Sequence, residues 1–91
     1  MFRFRKGVKE VPYNRQGYIY FKSLLYKDLP ERQRAKIEAL CAQAGGPYRA
    51  ALLEFVTTEQ TATAVCMRHH ISRSTLERIV RSYYKRWPKG L

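Results

Sequence analysis

Residues 57–87 read TTEQTATAVCMRHHISRSTLERIVRSYYKRW, and the rest of the chain takes its interpretation from them. Ala62, Val65, Cys66 and His69 recur at i, i+3, i+4 and i+7, the spacing of one face of an amphipathic helix. Thr57 followed by Gln60 has the form of a capping box and is expected to open that helix. A second helix is expected to begin at Ser72 or Ser74. Ser74 with Glu77 makes the better capping box, because each side chain meets the other's free backbone N–H. Leu76, Ile79, Val80, Tyr83 and Trp87 then fall on one apolar stripe, which Pro88 and Gly90 terminate.

The opposite face of the second helix carries the chemistry. At about 100° per residue, Ser74, Arg78, Arg81 and Lys85 cluster on the side away from Leu76 and Ile79, with Arg73 at the helix entry. A helix whose first turn is small, hydroxylated and cationic, set on a preceding helix by a tight turn, has what a DNA major groove accepts. Hydroxyls and the free N–H groups of a first turn bind phosphate, and an arginine reaches a guanine edge with two parallel hydrogen bonds.

Residues 62–81 resemble the helix-turn-helix of bacterial and phage transcription regulators. In that family a small residue of the first helix packs on the second, a turn residue takes a left-handed conformation, and an aliphatic residue and a serine follow. These positions fall here on Cys66, His70, Ile71 and Ser72, and Leu76 and Ile79 take the buried positions of the recognition helix. The family usually has Gly where this chain has His70; His tolerates positive φ better than most residues but less well than Gly. The resemblance covers about a fifth of the chain and implies a small regulator, or the DNA-reading end of a sigma-like factor. A plainer reading of the same residues is a helical hairpin with a solvated basic face.

Composition points the same way as the pattern. The 91 residues hold 18 Lys and Arg against 7 Asp and Glu, a formal charge of +11, with a pI near 10.1. Such an excess implies a polyanionic partner, and nucleic acid is favoured over membrane. No apolar run approaches the roughly 18 residues needed to cross a bilayer. No signal-peptide pattern is present either, so a cytoplasmic, nucleoid-associated protein is expected. Charge does not separate DNA from RNA. Cys41 and Cys66 make no disulfide framework and are expected as small reduced core residues. With His69 and His70 they could supply four zinc ligands. The close Cys pairing of a zinc site is missing, however, and only Cys66 and His69 share a helix face, so no metal or other cofactor is expected.

The remaining chain reads as support. Residues 1–13, MFRFRKGVKEVPY, alternate aromatic or aliphatic with basic residues and contain Gly7 and Pro12. They are expected as a short strand or, preferably, a basic arm, with Arg3, Arg5, Lys6 and Lys9 as candidate contacts to phosphate or the minor groove. Residues 18–26, YIYFKSLLY, suit a strand by composition. A helix starting near Asn14 is favoured, with Tyr18, Phe21, Leu24 and Leu25 as its inward stripe. Aromatic residues beside basic ones also suit base stacking, though core packing is their commoner use. Pro30 and Glu31 open a further helix with Ile37, Leu40, Cys41 and Ala44 inward and Arg32, Arg34 and Lys36 outward; Gly45-Gly46 stops it. Pro47 then opens a short helix with Tyr48, Ala51, Leu52 and Phe55 on one face.

The sequence therefore predicts an all-α, compact four- to five-helix domain over residues 14–91, with a C-terminal helix-turn-helix at residues 57–87 and a basic arm at residues 1–13. Seven scattered acidic residues, and His69-His70 without an adjacent nucleophile or orienting carboxylate, speak against catalysis. The function expected is sequence-specific binding of double-stranded DNA through Ser72, Arg73, Ser74, Thr75, Arg78, Arg81, Lys85 and Arg86. The alternative is a basic protein-interaction module of a mobile element. It would dock on a nucleoprotein complex or an acidic protein through Tyr83, Tyr84 and Trp87. Regulators of this type often dimerise, and a homodimer would use the aromatic C-terminal end or residues 18–26.

Overall fold

A computed structural model describes residues 10–91. They form five α-helices and two short 3-10 turns: α1 (Tyr13–Leu24), a 3-10 turn at Tyr26–Asp28, α2 (Glu31–Gly45), a 3-10 turn at Gly46–Tyr48, α3 (Arg49–Thr57), α4 (Ala62–His69) and α5 (Arg73–Lys85). There is no strand among the described residues, which settles the ambiguity of residues 18–26 in favour of helix. The candidate arm residues Arg3, Arg5, Lys6 and Lys9 lie outside the described residues. Val11 is buried, the Gln16 amide donates to its carbonyl at 2.7 Å, and α1 already begins at Tyr13.

One apolar cluster draws on every helix. It joins Ile19 and Tyr20 of α1, Ile37, Leu40 and Cys41 of α2, Ala51, Leu52, Phe55 and Val56 of α3, Val65 of α4, and Leu76, Ile79, Val80, Tyr83 and Tyr84 of α5. α2 packs on both α3 and α5, and α1 lies against α3. The α2 stripe is the expected one, with Ala44 packed at its edge. Gly46, at φ 56°, closes that helix in a conformation that an L side chain rarely adopts. Gly45 sits so close to α3 that an added Cβ would come 3.3 Å from Leu52 Cδ2. Tyr48 departs from its expected inward position: it lies in the 3-10 turn before α3 and is exposed.

α1 is a helix, but it is rotated from the expected stripe. Tyr18, Phe21 and Leu25 face outward, and Gln16, Ile19, Tyr20 and Ser23 face in. The cause is a polar contact that hydrophobicity alone does not weigh. Ser23 Oγ donates to the Ile19 carbonyl at 2.7 Å and lies 2.8 Å from the Tyr83 hydroxyl, so α1 is pinned to α5 through a buried serine. Burial pushes the Tyr83 phenol up from its ordinary pKa, and the phenol stays neutral there.

Candidate nucleic-acid interface

α4 starts four residues later than expected. α3 runs on through Thr57, and the hydroxyls of Thr57 and Thr58 donate back to the carbonyls of Leu53 and Glu54, each at 2.6 Å. Thr57 is thus the end of one helix rather than the cap of the next. Thr61 caps α4 instead, its side chain accepting from the Ala64 N–H at 3.1 Å. The inward face is the expected one, with Val65 fully buried and Ala62 and Cys66 packed against the core. His69 does not join an apolar stripe. Its Nε2 lies 2.8 Å from Glu54 Oε1, and Arg68 pairs with the other oxygen of the same carboxylate. One carboxylate on α3 therefore holds two side chains of α4.

The turn to α5 passes through His70, at φ 58° and ψ 47°, the one left-handed non-glycine residue among those described. The N–H groups of His70 and Ile71 both donate to the Cys66 carbonyl, which satisfies a helix end that would otherwise be left open. Only residues 70–72 separate the two helices. Ser72, not Ser74, caps α5: its oxygen accepts from the Thr75 N–H at 3.1 Å. Its hydroxyl also reaches Thr75 Oγ1 at 2.8 Å and lies 3.2 Å from Ser74 Oγ. Glu77 turns to Arg73, at 3.8 Å, rather than back to the Ser74 backbone.

α5 divides cleanly along its length. Leu76, Ile79, Val80, Tyr83 and Tyr84 are buried, and Trp87 is buried just beyond the helix end. Ser72, Arg73, Ser74, Arg78, Lys85 and Arg86 are exposed, and Thr75 and Arg81 are half-buried. The Arg73 side chain is 62% exposed, so it is not folded against the body. Further along, Arg78, Arg81, Ser82, Lys85 and Arg86 line an open cleft of about 370 Å³. The Arg86 Nε donates to Ser82 Oγ at 3.0 Å, which steadies one guanidinium at the rim. Glu10 lies 3.8 Å from Lys85 and is the acidic residue seen at this end. Four cations beside one open hollow attract phosphate oxygens.

Eight expected contact residues thus lie along one helix and its two caps, in two groups that share Arg78: the hydroxyl-rich first turn with Arg73, and the cationic cleft. Ser82 escaped the sequence reading, though its place four residues from both Arg78 and Arg86 was a usable signal. The Glu54 bridge was not readable, because nothing local links α3 to α4. The aromatic anchor of the alternative reading is overturned: Tyr83, Tyr84 and Trp87 are 0%, 5% and 7% exposed, and all three belong to the core. The C-terminal aromatics are likewise closed as a homodimer surface.

Cys41, Cys66, His69 and His70 do not assemble into one site. Cys41 is buried in α2, His69 is taken by Glu54 and His70 points from the turn, so no three such residues group together among the described residues. The Cys41 thiol is pushed up to about 12, first by burial and then by the nearby Glu38 carboxylate. No helix among the described residues is long and apolar enough to cross a membrane. No family model, curated protein or solved structure matches this chain.

Proposed function

We propose that this chain binds double-stranded DNA in a sequence-dependent way, with α4 and α5 as a helix-turn-helix and α5 as the reading helix, as a small regulator of a bacterial, phage or mobile-element system. The observation that carries the reading is the division of α5, whose apolar side is held by the core while its first turn and cationic side stand in solvent. A three-residue turn with a left-handed His70, and the +11 charge of the whole chain, support it. In this reading Arg73 and Arg78 meet base edges or the adjoining phosphates. Ser74 and Thr75 anchor phosphate at the helix start, and Ser72 holds that start as its cap. Arg81, Lys85 and Arg86, with Ser82, follow the backbone.

Selection from a random duplex pool, followed by a salt titration of the selected site, tests the proposal. Each phosphate contact lowers log K by about 0.9 per decade of salt. The three backbone contacts of Arg81, Lys85 and Arg86 then cost about 40-fold between about 50 and 200 mM salt. Arg73→Ala with Arg78→Ala is expected to relax the selected sequence and weaken it by about 1 to 3 kcal/mol per base-reading arginine. A folded double variant with unchanged affinity and preference overturns the assignment.

A further inference from the structure

α1 turns aromatic surface outward. Tyr18, Phe21 and Leu25 are 45%, 51% and 52% exposed, and their i, i+3, i+7 spacing makes them one stripe along the helix. Contiguous apolar surface left in water marks an interaction site. Both rings are already oriented. The Tyr18 hydroxyl donates to the Leu91 carbonyl at 2.8 Å and its ring meets Trp87 edge-on at 6.3 Å. Phe21 sits T-shaped on Tyr20 at 5.1 Å. Rings fixed beforehand lose little freedom when a partner covers them.

Charge selects the partner. The Arg15 guanidinium lies over the Tyr18 ring, 5.7 Å from its centre, and Lys22 flanks the stripe. Residues 11–27 contain no Asp or Glu, so no local carboxylate neutralises these cations. A second copy of this chain would bring more cations to this face and no carboxylate from its own residues 11–27. Half-exposed rings interleaved with cations are the chemistry that holds single-stranded nucleic acid, in which every base offers a face to stack and every linkage a phosphate. We propose that the outer face of α1 binds single-stranded nucleic acid, with bases stacked on Tyr18 and Phe21 and phosphates met by Arg15 and Lys22. This site is separate from the reading helix α5, and it stands if the duplex proposal fails.

The test is fluorescence anisotropy of a labelled oligothymidylate with the whole protein. Phe21→Ser with Leu25→Ser is expected to weaken binding about tenfold or more, the loss of one stacked base, and to leave duplex affinity unchanged. Phe21→Tyr keeps the ring and is expected to keep the affinity. Arg15→Gln with Lys22→Gln leaves the buried residues in place and is expected to reduce the salt slope by about 1.4, at about 0.7 per phosphate for a single strand. An unchanged slope overturns the proposal even if the serine variant fails to fold. Three other outcomes also overturn it: equal losses on duplex and single strand, loss confined to vesicles of anionic lipid, or conversion of a dimer to a monomer in sedimentation without any change in oligothymidylate affinity.

Discussion

Removing the Tyr83 hydroxyl is expected to have opposite effects in two backgrounds. Ser23 has one hydroxyl proton, and it is directed to the Ile19 carbonyl at 2.7 Å, so in the 2.8 Å contact between the two hydroxyls the donor must be Tyr83. Tyr83→Phe therefore removes a donor and leaves only an oxygen lone pair without its partner, at a cost of about 0.5 to 1.5 kcal/mol. Ser23→Ala instead strands a fully buried O–H, for about 1 to 3 kcal/mol, of which the better helix propensity of alanine returns about 0.5. In the Ser23→Ala background, deleting the stranded hydroxyl is then expected to stabilise the protein by about 1 kcal/mol. Thermal unfolding followed by circular dichroism resolves this, since about 1 kcal/mol moves Tm by about 4 to 8 °C in a domain of this size. A Tyr83→Phe effect of the same sign and size in both backgrounds would refute the donor assignment and with it the account of how α1 is oriented.

Other substitutions probe the segment that carries the proposed reader. His70→Gly relieves a left-handed non-glycine position and is expected to raise stability by about 0.5 to 1 kcal/mol, whereas His70→Val lowers it, both read from denaturant midpoints. Ser72→Ala removes the α5 cap and is expected to cost about 1 kcal/mol, with a loss of helical signal confined to the start of α5 in amide exchange. Alkaline pH is expected to destabilise the fold. The Cys41 pKa is raised by folding, so its contribution is complete below about pH 9 and is lost as pH climbs toward about 12. The buried Tyr83 phenol acts in the same direction, and Cys41→Ala should flatten the decline in Tm measured between about pH 8 and 11. A thiol reagent at neutral pH should modify the half-buried Cys66 well before Cys41, which is fully enclosed.

The helical class and the inner faces of α2 and α5 were readable because both follow an uninterrupted 3.6-residue apolar period with clear stops. Leu76, Ile79, Val80 and Tyr83 form such a run, as do Ile37, Leu40, Cys41 and Ala44. α1 defeated the same logic: seven of the nine residues in 18–26 are apolar or aromatic, so periodicity leaves its rotation open, and a long-range bond from Ser23 to Tyr83 decides it. Cap positions failed for a related reason. Thr57, Thr58, Thr61, Ser72 and Ser74 are all competent caps by composition, and only the paths of α3 and the His70 turn choose Thr61 and Ser72. The cationic side of α5 was legible as a stripe, but its closure into a cleft around Ser82 depends on side-chain directions that spacing alone does not give.

The bridge from Glu54 to Arg68 and His69 bears on how the molecule comes apart. α4 is eight residues long, has Val65 as its one fully enclosed side chain, and rests chiefly on α3 and α5. So short a helix does not persist alone in water. It forms a detachable flap whose amides should exchange with solvent ahead of those in α2 and α5, while the other four helices keep their shared interior. Glu54→Gln should hasten that exchange selectively, because one carboxylate of α3 ties down both Arg68 and His69 at the end of the helix that supports α5.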